Sequence, residues 1–376
     1  MASRVTSEYP MSVRRINFPL ILLAVLALLA GLWAGLLRMA WQLPLLQPTL
    51  PMSHGPLMVS GFLGTLIGLE RAVGLTALGG RRWTYAGPLL TGLGALLLLL
   101  GVRGLPGPLL ITAGSLVLVA AMIAVLRIHA TLHGGVMLLG ALAWLIGNAF
   151  WLFGRSIPQV VLWWAGFLVL TIVGERLELN RVLRLSRLTV AAFLLAVALL
   201  VAGMVTSLFA YAPGMRLAGA GLMALAAWLL AFDIARRTIR KTGLTRFIAA
   251  ALLAGYVWLA AAGILGLRFG GVTAGLYYDA FLHSIFVGFV FSMIFAHAPI
   301  IAPAILGIAM PYSSWFYLPL VLLQASLLLR VMGDLAGWTV ARQWGGLLNE
   351  VAILLLLATL VLAVRRGRRV ITLCQP

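Results

Sequence analysis

The chain has 376 residues, of which 63% are hydrophobic and only 9% charged. Soluble domains carry roughly a quarter charged residues, which excludes water as the solvent for most of this surface. The net charge of +19 would suit nucleic acid, but the basic residues lie in short breaks between apolar runs, where they orient membrane spans instead. Cys374 is the only cysteine, so an internal disulfide and a thiolate metal cluster are excluded as well.

These features predict an all-α fold, a polytopic membrane helical bundle of about 12 transmembrane helices forming a single integral membrane domain over 1–376. Met1 to Asn17 reads as a short polar cytoplasmic segment. The apolar run after it, Phe18 to Ala40, is too long for a signal-peptide core and has no small-residue cleavage site, so it is the first span. Further spans are predicted at 54–77, 85–102, 107–127, 132–153, 158–175, 188–209, 214–234, 245–266, 276–297, 315–333 and 344–365, with a cytoplasmic tail over 366–376. The breaks carry their own signals in Gly79-Gly80-Arg81-Arg82, Pro106-Gly107-Pro108, Arg236-Arg237 and Gly270-Gly271.

Twelve spans put both termini on one side. Of the 27 Lys and Arg residues, seven fall on the other side: Arg38, Arg103, Arg155, Arg216, Arg268, Arg330 and Arg342. By the positive-inside rule the richer side is cytoplasmic, and the termini with it. A reporter fused after Pro376 should therefore be active only as a cytoplasmic fusion; periplasmic activity would overturn the orientation.

All five histidines, His54, His129, His133, His283 and His297, fall inside spans or within a turn of a span end. An ionisable group at that depth is costly, so function is the starting hypothesis, although each histidine alone also fits a neutral hydrogen bond to a neighbouring helix. The topology sorts them by leaflet. His54 opens the second span from outside, and His283 lies about two turns into the tenth, roughly 10 Å deep at 1.5 Å per residue. His297 lies toward the cytoplasm, as do His129 and His133, which are placed at i and i+4 on one helix face. A weak internal similarity links His54-Gly55-Pro56-Leu57-Met58-Val59-Ser60-Gly61 to His133-Gly134-Gly135-Val136-Met137-Leu138-Leu139-Gly140, and His283 is likewise followed by Gly288. These glycines are read as clearing space beside each histidine.

Two histidines on different helices at one depth suit the axial positions of a haem b, with glycines admitting the flat macrocycle. Arg38, Arg268 and Arg342 are candidates to meet its propionates. The inner histidines have enough nitrogens for copper or zinc, with Glu70 or Glu175 offering an oxygen ligand, and His133 with His297 is also a candidate for a second haem. Against that, Glu70-Arg71 and Glu175-Arg176 also read as interfacial ion pairs at helix ends. Asp279 stands one turn before His283 and is placed to orient that imidazole. Glu350 lies about two turns into the last span with no base beside it in sequence.

The segments MSHGPLMVSGFLGTLIGLERAVGL (52–75) and FLHSIFVGFVFSMIFAHAP (281–299) resemble the histidine-bearing spans of the NnrS family. His54, Met58, Gly61, Phe62, His283, Gly288 and His297 match that family's outline. The resemblance implies a haem- and copper-containing membrane protein associated with bacterial nitric oxide metabolism and tolerance. Met52 and Pro56-Leu57 replace the first histidine and the glutamate of the family's His-x-His-Glu-Met string, which touches the copper site more than the haem. The wider resemblance is to the catalytic subunit of haem-copper oxidases, whose second and tenth spans bear the low-spin haem ligands. The further histidines of its copper centre are absent here.

The expectation is therefore a b-type haem protein of the bacterial inner membrane. It would act in electron transfer or in handling nitric oxide or nitrosative stress, exchanging electrons with quinol or a redox partner protein. Two alternatives stand beside it, a proton-coupled secondary transporter and a small quinol-oxidising cytochrome.

Overall fold

The computed structural model describes residues 11–79, 81–306 and 310–373, and among these the chain is helical with no strand. Hydrocarbon offers no partner to a peptide group, so the apolar runs must satisfy their backbones internally, and helices do so. The crossings in chain order are α1 (Met11–Arg38), α2 (Leu50–Gly79), α3 (Ala86–Leu99), α4 (Pro106–Ile128), α5 (Leu132–Leu152) and α6 (Ile157–Leu179). They continue with α7 (Arg187–Thr206), α8 (Tyr211–Phe232), α9 (Gly243–Phe269), α10 (Leu276–Pro303), α11 (Ser314–Ala336) and α12 (Thr339–Leu373). The chain is a polytopic α-helical membrane bundle.

Eleven of these helices are long and apolar enough to cross a membrane. The exception is α3, whose 14 residues rise about 21 Å, less than a hydrocarbon core of about 30 Å. The sequence reading gave this span 85–102. The helix stops short because Gly101 (φ 74) turns the chain, and a tight helical turn, Arg82–Tyr85, leads into it. It still runs antiparallel to α4 through facing glycines. A Cβ on Gly87 would meet Val117 and the Gly114 carbonyl, and one on Gly94 would meet Ile111 and the Gly107 carbonyl. α3 thus packs antiparallel to α4 although it is shorter than a full span.

Both terminal segments are partly helical. Residues 1–10 of the expected 1–17 segment lie outside the described residues, and helix begins by Met11. The tail expected at 366–376 continues α12 as far as Leu373, and Cys374 lies outside the described residues. His129 and His133 do not share a helix face. His129 caps the end of α4 in an extended conformation, and Thr131 starts a new helix by accepting a hydrogen bond from the Gly134 N–H at 3.2 Å.

Burial ranks the helices. In the most apolar stretch of α6, 78% of residues are buried, against 61% in α2 and in α10 and 28% in α12. α6 is therefore the axis of the bundle, and the two helices carrying His54 and His283 pack inside rather than at the lipid face. Gly337 (φ 67) closes α11 and lets the chain reverse into α12, with the Trp338 N–H bonding to the Gly333 carbonyl at 2.7 Å.

The ion pairs at the inner end join different helices. Arg71 pairs with Glu175, and the buried Arg176 guanidinium grips Asp233 through Nε at 2.9 Å and Nη2 at 2.8 Å. Asn180 adds a bond to the same carboxylate at 3.1 Å, and its own carbonyl accepts from the Ile234 N–H. Sequence neighbours such as Glu175 and Arg176 point about 100° apart on a helix, so each finds its partner elsewhere. Arg176 belongs to the core, not to a loop.

Candidate functional site

His54 begins the helical part of α2 directly after the turn Leu50–Ser53, and His283 ends the first α-helical stretch of α10. The two imidazoles face each other with ring centroids 6.4 Å apart and planes inclined by 25°. His54 Nδ1 lies 2.8 Å from the Gly31 carbonyl on α1, and His283 Nδ1 lies 2.9 Å from the Asp279 carbonyl one turn earlier. A carbonyl only accepts, so each Nδ1 carries the hydrogen and each Nε2 keeps its lone pair. Among the described residues neither Nε2 takes part in a hydrogen bond. Imidazoles that ligate metals are oriented in this way, by a second bond from the other ring nitrogen. Two such ligands on opposite sides of one iron, each about 2 Å from it, would place their centroids about 6 Å apart. The residues present therefore fit a haem with two axial imidazoles.

Directly beyond each histidine the helix widens. Leu57–Gly64 in α2 and Ser284–Phe291 in α10 are π-helical, a form that recurs at functional sites. Phe62 and Phe291 each lie eight residues after their histidine, and their rings stack with centroids 6.1 Å apart and planes at 23°. The two helices thus meet in matched register, imidazole on imidazole and phenyl on phenyl.

The glycines that make room are not those the sequence pointed to. Gly61 faces Ala27 and Ala95, and Gly288 faces the Trp258 ring, so both serve helix packing. At His54 the space comes from α1. A Cβ on Gly31 would lie 2.6 Å from Met58 Sδ, and one on Gly35 would lie 3.1 Å from His54 Cε1 and 3.0 Å from Glu350 Oε1. Met58 therefore packs beneath the carbonyl that holds His54, and Glu350, isolated in sequence, stands beside that imidazole.

A charged network supports His283. Asp279 receives Arg330 at both oxygens, Nε at 3.0 Å and Nη2 at 3.1 Å, while Oδ1 lies 3.3 Å from His283 Nδ1. Arg342 lies 3.7 Å from Asp279 and 2.8 Å from the fully buried Asp334. Two arginines thus offset two aspartates, which keeps these charges tolerable at membrane depth. Arg342, expected to face a propionate, is committed to this network, and Arg330 is in the core rather than in a loop. Arg268 lies over the Phe269 ring, whereas Arg38 is exposed at the C-terminal end of α1.

The inner histidines are not drawn together by any contact among the described residues. His297 Nδ1 bonds within its own helix to the Met293 carbonyl at 2.7 Å. His133 Nε2 is 3.1 Å from Thr131 Oγ1 and 3.7 Å from Glu178, and His129 is exposed. Glu175 is held by Arg71, and Glu70 is half-buried at the same end of α2. Among the described residues, no group of three or more His, Cys, Asp or Glu is arranged to hold a metal ion.

Fold and site together define a polytopic α-helical membrane protein with a half-buried imidazole pair shared by α2 and α10. The chain belongs to the family described as a domain of unknown function, DUF8744, which it matches over residues 15–365. No curated protein and no solved structure matches it.

Proposed function

We propose that this protein is a b-type haem membrane protein, NnrS-like, with His54 and His283 as the axial ligands. The observation that carries the reading is the facing imidazole pair, each ring tethered through Nδ1 to a backbone carbonyl with its Nε2 left available. Bound haem would supply a reversible one-electron couple. Two histidines on one iron leave no open position for a gas, so electron transfer is better supported than direct nitric oxide binding at this site.

The chain's own groups have separate tasks in this reading. Gly31 and Asp279 fix the imidazole tautomers through their carbonyls. Arg330 and Arg342 hold Asp279 in place beneath His283, and Arg38 is the exposed cation positioned for a propionate. The Phe62–Phe291 pair closes the inward side against water. Copper is not part of the proposal, because among the described residues no group of three or more His, Cys, Asp or Glu is arranged around one point. Quinol or a redox partner protein would exchange the electron at a bacterial inner membrane, and the charge bias supports cytoplasmic termini.

The test is the absorption spectrum of protein purified from haem-replete cells. One haem b per chain, with a sharp Soret band that shifts on reduction, is the expected result. Colourless protein would overturn the reading and favour the proton-coupled transporter.

A further inference from the structure

A second site lies at the other end of the bundle. A cavity of about 560 Å³ opens between the start of α9 and the start of α11. Its polar lining is Thr242, Gly243, Arg246, Tyr312, Ser314 and Tyr317, and its apolar walls include Ile239 and Ala250. No carboxylate is among the residues that line it. Arg246 is exposed, and among the described residues it has no ion-pair partner.

Three features converge on an anion. The first is the unpaired guanidinium, with Arg236, Arg237, Arg240 and Lys241 in the stretch of chain just before it. The second is the beginning of a 27-residue helix, where Thr242 makes no side-chain cap and the first N–H groups of α9 lack partners within the helix. The third is a set of hydroxyls on a fixed floor. The buried Phe247 ring packs against Tyr317 at 5.2 Å, edge to face, and against Tyr312 at 6.3 Å, which holds both phenols in place.

The surroundings decide the source of the anion. The cavity lies at the end of two membrane-crossing helices, and Ala250, one turn beyond Arg246, carries its wall toward the hydrocarbon. Basic clefts between spans at the basic side of a membrane protein take lipid headgroups. We propose that this cavity binds the phosphodiester of an anionic phospholipid, with Arg246 as the anchor, the hydrogen-bonded Tyr312–Tyr317 hydroxyl pair supplying a further donor, and an acyl chain along the apolar wall. The site is independent of haem.

The test uses the full-length chain in a neutral detergent. Phosphatidylglycerol, phosphatidylcholine and inorganic phosphate are titrated separately, and binding is read by native mass spectrometry and by the thermal midpoint. Phosphatidylglycerol should remain bound and raise the midpoint, while phosphatidylcholine should do neither. Arg246→Gln should weaken phosphatidylglycerol about tenfold, as expected when one charge-assisted hydrogen bond is lost. Because Arg246 is exposed, the variant should keep its lipid-free midpoint. Tyr317→Phe provides a second variant, with a smaller loss in the same direction. If inorganic phosphate matches phosphatidylglycerol, or if both variants bind phosphatidylglycerol like the parent, the proposal is wrong.

Discussion

Replacing either His54 or His283 by Ala should convert a low-spin haem spectrum to a high-spin one or abolish haem retention. Each imidazole would supply one axial bond, and His54 and His283 are the histidines in ring contact among the described residues. The two variants should not be equivalent. His283 rests on the Asp279–Arg330–Arg342 network, so its removal also leaves that network without its imidazole neighbour. His54 rests on a single α1 carbonyl and packs against Gly35, so its truncation vacates the volume of one imidazole there without disturbing a charged network. Added imidazole should therefore restore low-spin haem to His54→Ala more readily than to His283→Ala. His129→Ala should leave the spectrum unchanged. Wild-type low-spin spectra from both site variants would remove the haem from this pair.

The second large effect concerns stability. Asp233→Ala should destabilise the bundle by about 3–5 kcal/mol, the usual result of removing one partner from a buried ion pair. Arg176 is only 3% exposed and Asp233 is 0% exposed, so the stranded guanidinium has no route to water without unpacking the end of α6. Asn180 would lose its acceptor at the same time, and the Ala235 N–H, which bonds to Asp233 at 2.7 Å, would be uncapped. Replacing both charges, as in the pair Arg176→Met and Asp233→Leu, should recover most of the loss, because no lone buried charge remains. The measurement is the thermal midpoint in detergent. Equal destabilisation of the single and double variants would show that packing, not charge, governs this joint.

Much of the fold was legible because the bilayer imposes one strong rule, that a long apolar run must be a helix. The runs around Phe18–Ala40 and 344–365 could be read directly, and Gly or Pro marked breaks such as 79–80, 106–108 and 270–271. Less legible were features that depend on one or two residues. α3 is cut short by the turn at Gly101, and a single extended residue takes His129 off the helix that carries His133. The π-helical stretches after His54 and His283 leave no compositional mark, since an extra residue per turn preserves the same apolar character.

The site was legible only in outline. The depth of His54 and His283 followed from topology, and so did their shared leaflet. Their supporting groups did not, because Arg330, Asp334, Arg342 and Glu350 arrive from the last two helices, and Gly31 and Gly35 from the first. Such contacts span tens of positions or more, 23 from His54 to Gly31 and 51 from Asp279 to Arg330, and have no local spacing. Sequence adjacency was misleading where it suggested pairs, as with Glu175 and Arg176, since neighbours on a helix diverge. Gly61 and Gly288 show the same limit: a glycine near a histidine in sequence can face a different helix.

The central claim, that His54 and His283 hold one haem, is tested most directly by low-temperature electron paramagnetic resonance of the oxidised, haem-loaded protein. Imidazole planes inclined by only 25° are near parallel. Near-parallel axial imidazoles lift the degeneracy of the iron d orbitals and give a rhombic low-spin ferric signal, whereas perpendicular ones give a highly anisotropic signal. The predicted result is the rhombic low-spin signal in the parent, lost in both His54→Ala and His283→Ala. A high-spin signal in the parent, or a low-spin signal that survives in both variants, would contradict it.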